Sequence, residues 1–508
     1  MLKIGEKQIT TEDFYEVLFS SQKVELDKKT LPKLNKNFNF LKDFSKDKVI
    51  YGLNTGFGPM AKQKINDDDQ VKLQYNLIRS HSSGSGKPIE DLYVKSALLC
   101  RLISLTKGKS GINKEAPELL MQFINKNIFP VIPKHGGVGA SGDLVQLSHL
   151  ALSLIGEGNV SFEGKIKPTK EILKNQKLSP INIQTREGLA LINGTSVMTG
   201  IGLVNLIRAK QLLNWSLVFS SMMNEIMDSY DDSFSKELNE AKNHQGQKEI
   251  AEKIRIILQD SKLIRKRTDS YKMTKEELEK DNVQEVYSLR CLPQILGPVL
   301  DTIKYTEQVL IDETNSVNDN PLIDDMEKFV FHGGNFHGDY ISLEMDKLRL
   351  VITKLSMLSE RQLNFLLNDK LNQKLPPFVN LGKLGLNLGV QGMQFTATST
   401  TAENQTLSNS MYVHSIPNNN DNQDIVSMGT NSALLTKNVI ENTFEILSIQ
   451  SIAILQAIDF LGIEKKLSSH SKKAYSDLRN LVPKFIEDSP KYEEIRIVKE
   501  FLMSNSFK

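Results

Sequence analysis

Residues 196–228 read SVMTGIGLVNLIRAKQLLNWSLVFSSMMNEIMD, a stretch without proline that continues one helical pattern almost unbroken. Its apolar residues recur at spacings of three, four and seven, as they do on one face of an α-helix. Three later stretches, 296–310, 341–365 and 435–458, follow the same spacing. Helices of this length exceed the ordinary globular average of about 11–12 residues. The pattern therefore predicts a mainly α protein organised around a bundle of long helices.

Glycine-rich loops are found mainly in the first two hundred residues, and the long helices follow them. We therefore predict two domains, a smaller loop-rich one over 1–197 and a long-helix region over 198–508. In the first and last long helices the apolar residues spread beyond one stripe, which indicates burial on several faces. Either other subunits or a large monomeric core could bury those faces. The highly charged segment 261–290 is predicted to be a mobile surface excursion or a lid.

The overall composition is that of an ordinary globular protein, with 508 residues of which 39% are hydrophobic and 24% charged. Lys and Arg number 63 against 61 Asp and Glu, and the net charge of +2 gives no reason to expect nucleic acid or an anionic membrane as a partner. The two cysteines, Cys100 and Cys291, exclude a disulfide framework and favour a reduced setting. Residues 1–14 are polar, and no uninterrupted apolar run approaches the ~20 residues of a membrane helix. We expect a cytoplasmic protein.

A glycine loop precedes a further helical pattern that ends near Gly156. Gly137, Gly139 and Gly142 form G-x-G-x-x-G, which in a dinucleotide-binding protein follows a strand inside a βαβ unit. The preceding residues 127–135, NIFPVIPKH, contain two prolines, and no alternation of strands and helices follows. The loop therefore does not predict a nucleotide site.

The tripeptide Ala140-Ser141-Gly142 offers a different chemistry. The Gly142 amide nitrogen can attack the Ala140 carbonyl carbon, because neither residue has bulk that blocks the approach. Loss of water from the ring and of the Ser141 hydroxyl would leave a methylidene-imidazolone, an exposed electrophile of a kind for which proteins normally need a cofactor. The tripeptide alone is weak support, since Ser141 or Asp143 could simply cap the following helix.

Seven segments provide a wider context: YGLNTGFGPM (51–60), GGVGASGDLVQLSHLAL (136–152), EGLALINGTSVMTG (187–200), QEVYSLRCLPQILGP (284–298), NSVNDNPLI (315–323), HGGNFHG (332–338) and NQDIVSMGT (422–430). In order and spacing they resemble the histidine, phenylalanine and tyrosine ammonia-lyases, and most of all the bacterial tyrosine ammonia-lyases. The resemblance covers nearly the whole chain. It implies a central helical bundle of the fumarase/aspartase-like type, a homotetramer with composite active sites, and 4-methylidene-imidazol-5-one formed autocatalytically from Ala140-Ser141-Gly142.

The resemblance also implies catalytic roles. Tyr51 matches the base that removes the β-proton, although a phenol with a pKa of ~10 is a poor base without positive charge nearby. Tyr287 matches a second, mobile tyrosine that positions the substrate or handles protons. Arg290 is expected to bind the substrate carboxylate, because its planar guanidinium can pair with two oxygens. Helices that begin after Gly142 and Thr195 would direct positive partial charge at the cofactor.

Other matched residues surround the cofactor and the substrate carboxylate. Asn193 is expected to hydrogen-bond the cofactor oxygen, and the remaining matches are Gln284, Asn320 and Phe336. Taken singly, an asparagine before glycine is more often a turn residue, and a phenylalanine is more often part of the core. His332 and His337 are five residues apart with Asp339 nearby, which is not the i,i+4 spacing of a helical zinc site, and no metal is expected.

Two positions bear on the identity of the amino acid. Histidine ammonia-lyases usually carry Gln-Glu-Asp-His before Val-Ser-Met, whereas this chain has Asn422, Gln423, Asp424 and Ile425, with an amide in place of the glutamate. The Ser80-His81 pair resembles histidine lyases. It can equally hydrogen-bond a phenol hydroxyl, and Asn419 adds another polar group. Such a site would reject phenylalanine. We expect conversion of L-tyrosine to trans-4-coumarate and ammonia, with histidine ammonia-lyase, forming urocanate, as the alternative.

Two further classes remain open. An aminomutase would use the same cofactor and return ammonia to the β-carbon, and none of the motifs excludes it. A non-catalytic scaffold that has kept the fold predicts damage at Tyr51, Ser141 or Arg290, and all three residues are intact.

Overall fold

The computed structural model describes residues 1–269 and 283–505. Within these residues the helices of the N-terminal part are α1 (Thr11–Phe19), α2 (Thr30–Phe44), α3 (Asp67–His81), α4 (Asp91–Thr106), α5 (Glu115–Lys126), α6 (Leu144–Leu154), α7 (Thr169–Asn175) and α8 (Glu187–Ile192). They are followed by α9 (Ser196–Ile226), α10 (Lys236–Glu240), α11 (Gln245–Leu258), α12 (Tyr287–Arg290), α13 (Leu292–Thr314), α14 (Asp339–Leu367), α15 (Asp369–Asn372), α16 (Gln391–Leu407), α17 (Gly429–Leu461), α18 (Ser469–Arg479) and α19 (Tyr492–Ser504).

The four long helices confirm the prediction from hydrophobic spacing. α9, α13, α14 and α17 contain 31, 23, 29 and 33 residues, and each includes the stretch that predicted it, apart from the last two residues of 196–228. α6 likewise follows the glycine loop, where the spacing of apolar residues predicts a helix. The fold is mainly α, as predicted.

Burial within one chain accounts for the broad apolar surface of α9 and α17. Nearly every residue of α9 is buried, including Trp215. α17 is long and apolar enough to cross a membrane by length and composition, with a mean hydropathy of 1.5, but 78% of that apolar window is buried inside the protein. The composition of these two helices therefore does not by itself require other subunits.

The chain divides into two compact units, each assembled from three segments. The first unit comprises 1–207, 306–346 and 410–437, and the second comprises 208–305, 347–409 and 438–508. This division describes compactness and does not test where independent domains begin. The two-domain boundary at residue 197 therefore stays a prediction.

Short strands accompany the helices of the first unit. They are β1 (Leu2–Ile4), β2 (Val24–Leu26), β3 (Ser85–Pro88), β4 (Phe129–Pro130), β5 (Pro133–His135), β6 (Asn159–Phe162), β7 (Lys165–Pro168), β8 (Leu322–Asp324) and β9 (Phe329–Phe331). β1 pairs with β2 in parallel. The pairs β3–β5, β4–β6, β6–β7 and β8–β9 are antiparallel.

The lead-in to the glycine loop corrects one sequence inference. The two prolines of residues 127–135 predict against strand structure, yet β4 and β5 both lie there. Pro130 ends β4 and Pro133 begins β5, and strand ends tolerate a residue without an N–H. Both strands pair antiparallel, so the described part of the lead-in does not form the parallel βαβ unit that a dinucleotide needs.

Candidate active site

A cavity of about 930 Å³ lies in the first unit, and every residue that lines it belongs to that unit. Many of the residues predicted from the sequence meet there: Tyr51, Ser80, His81, Ser141, Gly142, Asn193, Asn320, Phe336, Asn419, Asn422 and Gln423. These residues come from seven separate parts of the chain. Their convergence makes this cavity the candidate active site.

Two side-chain amides converge on Ser141. Asn193 donates from Nδ2 to the Ser141 carbonyl oxygen at 3.1 Å. Gln423 donates from Nε2 to Ser141 Oγ at 2.8 Å. The Asn193 amide is itself oriented, because its Oδ1 accepts a hydrogen bond from the Asn320 backbone nitrogen at 2.8 Å. Both oxygens of Ser141 therefore face fixed donors.

The backbone around Ser141 has no room for side chains. Gly142 has a φ of +71°, and a Cβ placed on it would lie 2.0 Å from the Gly194 carbonyl oxygen. Gly139 has a φ of +75°, and a Cβ there would lie 2.0 Å from Ser427 Oγ. Ala140 is buried in an apolar cluster with its neighbours from the 426–428 segment. The Ala140–Gly142 segment thus has the small residues that an imidazolone ring requires, and Asn193 donates to the carbonyl oxygen that such a ring would keep.

A buried carboxylate connects this segment to the long helix α9. Asp143 is fully buried, and its Oδ2 accepts hydrogen bonds from the Val197 and Met198 backbone nitrogens, both at 2.9 Å. Thr430 donates to its Oδ1. Burial raises the pKa of Asp143 to about 6, although these donors oppose the shift. Asp143 stands at the start of α6 but its side chain does not cap that helix. It binds the N-terminus of α9 instead.

A second carboxylate acts at the same helix end. Thr195 donates from Oγ1 to Glu313 Oε1, and Asn318 donates to that oxygen at 3.5 Å. Burial raises the pKa of Glu313, and these two donors lower it in part. Neither this role of Glu313 nor that of Asp143 is evident from the sequence. No local pattern connects residues 143 and 313 with a helix that begins at residue 196.

Tyr51 is part of the cavity lining. Its phenol oxygen accepts a hydrogen bond from the Gly58 backbone nitrogen at 3.1 Å. Its ring meets the Phe57 ring edge-on, with 6.2 Å between the centroids. Both contacts orient the phenol while leaving its own hydrogen available to another acceptor.

One face of α3 forms a polar wall. His81 Nδ1 lies 3.0 Å from the Leu77 carbonyl oxygen and 3.0 Å from Ser80 Oγ. With the proton on Nδ1, His81 Nε2 is left as an acceptor. Asn76 lines the cavity four residues before Ser80, and the sequence analysis missed it. Its helical spacing from Ser80 is the signal that could have identified it.

Another wall of the cavity is a loop rich in amides. Asn418, Asn419, Asn422 and Gln423 line the cavity, and of these only Asn418 was not predicted. Residues 419–421 all have φ between +53° and +57°, a conformation that asparagine and aspartate tolerate better than other side chains. Asn419 packs closely on Gly58, since a Cβ placed on Gly58 would lie 2.7 Å from Asn419 Nδ2.

The segment around Phe336 completes the lining. Asn320 accepts from the Gly333 backbone nitrogen at 2.7 Å. Burial, with a smaller contribution from Arg186, lowers the pKa of His332, which also lines the cavity. His337 pairs with Asp339 at 3.2 Å. Within residues 1–269 and 283–505, no three acidic, histidine or cysteine side chains are grouped so that they could hold a metal ion.

The remaining predicted residues belong to the second unit. Gln284 and Tyr287 are exposed, the latter to 70%, and Arg290 is partly buried. Arg290 donates from Nε to the Glu285 carbonyl oxygen at 2.9 Å, and its Cζ lies 4.7 Å from the centre of the Tyr287 ring. Residues 270–282, the central part of the predicted lid, lie outside the described residues. The roles of these three side chains stay predictions.

A family match, similar sequences and similar crystal structures all relate the chain to one family. Residues 9–480 match the aromatic amino acid lyase family. A tyrosine 2,3-aminomutase from Chondromyces crocatus is 39% identical, covering 100% of this chain and 97% of that protein. The histidine ammonia-lyase of Bacillus subtilis (strain 168) is 38% identical, with the same coverage. The crystal structure of a tyrosine aminomutase from Streptomyces globisporus matches with a TM-score of 0.94 at 34% identity, covering 99% of this chain and 96% of that chain.

These similarities extend over nearly the full length of the chain, and they include the long helices as well as the loops that line the cavity. The prediction of an ammonia-lyase type of fold is confirmed. The chain belongs to the aromatic amino acid lyase family.

Proposed function

We propose that this protein eliminates ammonia from L-tyrosine to give trans-4-coumarate, in the cavity around Ser141. One observation carries the proposal: Asn193 and Gln423 hold the two oxygens of Ser141 in a cavity that Tyr51 also lines. The tight glycine backbone at Gly142 fits the 4-methylidene-imidazol-5-one that Ala140, Ser141 and Gly142 would form. Once formed, that group supplies an electrophilic carbon that withdraws an electron pair from the substrate.

The chain's own residues would perform the other tasks. Tyr51 lines the same cavity as Ser141 and is the candidate to accept the β-proton. Asn193 donates toward the oxygen on which negative charge would collect, a fixed donor of the oxyanion-hole kind. The N-terminus of α9 adds positive partial charge near the Ala140–Gly142 segment. Asp143, which follows that segment directly, binds this helix end through the Val197 and Met198 backbone nitrogens. Arg290 would bind the substrate carboxylate.

The polar wall supports tyrosine as the substrate. His81 Nε2 and Ser80 can hydrogen-bond a phenol hydroxyl at the end of α3. Gln423, as an amide, lacks the negative charge that would pair with an imidazolium. Both arguments favour tyrosine over histidine, although relatives named for each amino acid match the chain at nearly equal identity.

A second candidate reaction is the 2,3-aminomutase reaction, which would return the ammonia to the β-carbon and yield β-tyrosine. The specific observation in its favour is the 39% identity to a tyrosine 2,3-aminomutase over the full chain. Elimination is the first half of both reactions, so the same cavity would serve either.

The test is product analysis with purified protein mixed separately with tyrosine, histidine and phenylalanine. Coumarate and ammonia in equal amounts from tyrosine support the lyase. Accumulating β-tyrosine supports the aminomutase, and urocanate as the only product would refute tyrosine as the substrate. An intact mass that is not two waters below the sequence mass, in a fully active preparation, would refute the cofactor.

We also propose a homotetramer, in the cytoplasm, in which one active site takes residues from more than one chain. Large apolar side chains are exposed in both units: Tyr340 and Leu343 in the first, and Leu384, Leu386, Leu388 and Phe395 in the second. Exposed apolar side chains can mark a surface through which proteins associate. A fully active monomer by light scattering would refute the assembly.

A further inference from the structure

A buried arginine supports the turn on which the Ala140–Gly142 segment packs. Arg101 lies on α4, and its side chain is fully buried. It donates from Nη2 to the Ala190 carbonyl oxygen, in the last turn of α8. Carbonyls there have no partner within the helix, and a cation near them is favourable. Arg101 therefore fixes the end of α8, from which the turn Asn193–Gly194–Thr195 continues.

Arg101, Gly194 and Gly142 are packed in succession with no space between them. A Cβ on Gly194 would lie 2.6 Å from Arg101 Nη1. A Cβ on Gly142 would lie 2.0 Å from the Gly194 carbonyl oxygen. The Asp143 backbone nitrogen donates to that same oxygen at 2.8 Å. A single glycine thus separates the guanidinium from the residue whose nitrogen must attack Ala140.

Helix packing does not account for an arginine at this position. Within the described residues, Arg101 Nε and Nη1 have no hydrogen-bond partner. Burial lowers the pKa of Arg101 to about 10, and the Asp319 carboxylate partly opposes the shift. A buried cation with unsatisfied donors is less favourable than an apolar side chain of similar volume. A role beyond packing would explain why a cation is present.

We propose that Arg101 is a positioning residue for ring formation in Ala140–Ser141–Gly142, acting through the turn Asn193–Gly194–Thr195. The inference rests on the proposed cofactor. Ring formation joins the Gly142 nitrogen to the Ala140 carbonyl carbon. The Ala140 oxygen leaves as water with the hydrogens of the Gly142 and Ser141 nitrogens, and the Ser141 hydroxyl leaves as a second water with the Ser141 α-hydrogen. The reaction needs no external oxidant or reductant.

Arg101 would position two parts of the future ring, the attacking Gly142 nitrogen and the Ser141 carbonyl oxygen. The attacking nitrogen and the carbonyl carbon must be held close, and a restrained geometry removes much of the entropic cost of that approach. Arg101 prevents Gly194 from moving away from Gly142. The same turn carries Asn193, whose amide donates to the Ser141 carbonyl oxygen at 3.1 Å. Loss of Arg101 should therefore loosen both contacts.

The test compares intact mass and thermal unfolding midpoint for wild type, Arg101→Met and Arg101→Lys. In the wild type, chains should be two waters below the sequence mass. We expect Arg101→Met to fold with an unfolding midpoint close to wild type but with at least a tenfold smaller fraction of dehydrated chains. Arg101→Lys keeps the charge without the planar fork, and we expect an intermediate fraction. Arg349→Met is the matched control, because Arg349 is an equally buried arginine in the second unit, and it should be fully dehydrated.

Complete dehydration of Arg101→Met would overturn the proposal. Loss of dehydration in Arg349→Met would also overturn it, because the effect would then follow from removing any buried arginine. If Arg101→Met does not fold, the test rests on Arg101→Lys. A folded Arg101→Lys protein with the same fraction of dehydrated chains as the wild type would contradict the positioning role of Arg101. An unmodified wild type would refute the cofactor itself and with it the proposed function, so the two failures are distinguishable.

Discussion

Gln423 donates a hydrogen bond from Nε2 to Oγ of Ser141 at 2.8 Å, although 282 residues separate the two positions in sequence. This hydroxyl is the group that would leave when the electrophile forms. The side chain that holds it stands at the position where histidine ammonia-lyases usually carry a glutamate. One contact therefore bears on two questions, formation of the cofactor and choice of substrate.

Replacing Gln423→Glu should move the enzyme toward histidine. A carboxylate cannot donate to Ser141 Oγ, but it can pair with an imidazolium, and a hydrogen bond to a charged group is worth about 1.5–3 kcal/mol, or roughly 10- to 150-fold in rate. We expect the ratio of urocanate formation to coumarate formation to rise by that factor. Initial rates with each amino acid measure it, and intact mass checks that dehydration still occurs.

The matched control for this change is Asn422→Asp, which adds the same charge one residue away on the same wall. It should shift the ratio much less than Gln423→Glu. Equal shifts from the two variants would mean that general charge, and not the contact at Ser141, determines the preference.

The substitution His81→Phe should reduce tyrosine activity and increase phenylalanine activity. It removes one hydrogen-bond partner of the buried substrate hydroxyl, which costs about 1–3 kcal/mol, or roughly 5- to 150-fold. Separate rates with the two amino acids measure the ratio. Ser82→Ala is the control for disturbance of the helix end, since it removes a hydrogen bond to the Ile78 carbonyl oxygen at a residue that does not line the cavity. A lower unfolding midpoint with an unchanged tyrosine-to-phenylalanine ratio would assign His81 a structural role only.

The substitution Gly142→Ala should abolish dehydration and activity. Gly164→Ala provides a matched control, because both glycines have a φ of +71° but a Cβ on Gly164 meets nothing within 4 Å. Each variant carries the cost of alanine at positive φ, about 1–2 kcal/mol. Only Gly142→Ala also forces the new Cβ against Gly194. Intact mass should therefore show loss of dehydration in Gly142→Ala alone, and normal dehydration there would contradict the packing argument.

Local patterns predicted the elements better than they predicted the contacts between them. The spacing of apolar residues identified α9 and α17, because a helix face is encoded within a few turns. The same spacing could not tell whether a helix is buried by its own chain or by another, and the structure buries both helices in one chain. The bond from Asp143 to the start of α9 joins residues 54 and 55 positions apart, and only the folded chain brings them together. The family motifs, by contrast, predicted Asn193 and Gln423 as site residues, and both contact Ser141.

The buried carboxylate of Asp143 should make stability depend on pH. Its pKa is about 6 in the folded state against 3.8 unfolded. The folded state therefore binds this proton more tightly, so the group stabilises the fold fully below pH 3.8, and that stabilisation is lost as pH rises through 6. The difference corresponds to a free energy of unfolding on the order of 3 kcal/mol. Nearby Glu313 contributes to the raised pKa and titrates in its own right.

Asp143→Asn isolates this effect, because it removes the titrating group while leaving Glu313 in place. An amide oxygen can still accept from the start of α9. Urea unfolding between pH 4 and pH 7 should show the variant gaining stability relative to wild type as pH rises. If the free energy of unfolding of the two proteins changed with pH in the same way, the Asp143 carboxylate would not be the group that makes stability depend on pH.

Mixing inactive subunits tests whether the site is shared between chains. Tyr51 and Ser141 line one cavity of one chain, whereas Tyr287 belongs to the second unit and is 70% exposed. If Tyr287 comes from another chain, coexpressed Ser141→Ala and Tyr287→Phe subunits should recover about a quarter of wild-type activity, because half of the Ser141 positions and half of the Tyr287 positions are intact and combine at random. Ser141→Ala with Tyr51→Phe is the control and should recover none, since each cavity then lacks one of the two residues. Recovery by both pairs would contradict the placement of Tyr51 and Ser141 in one catalytic cavity, and recovery by neither would contradict a site shared between chains.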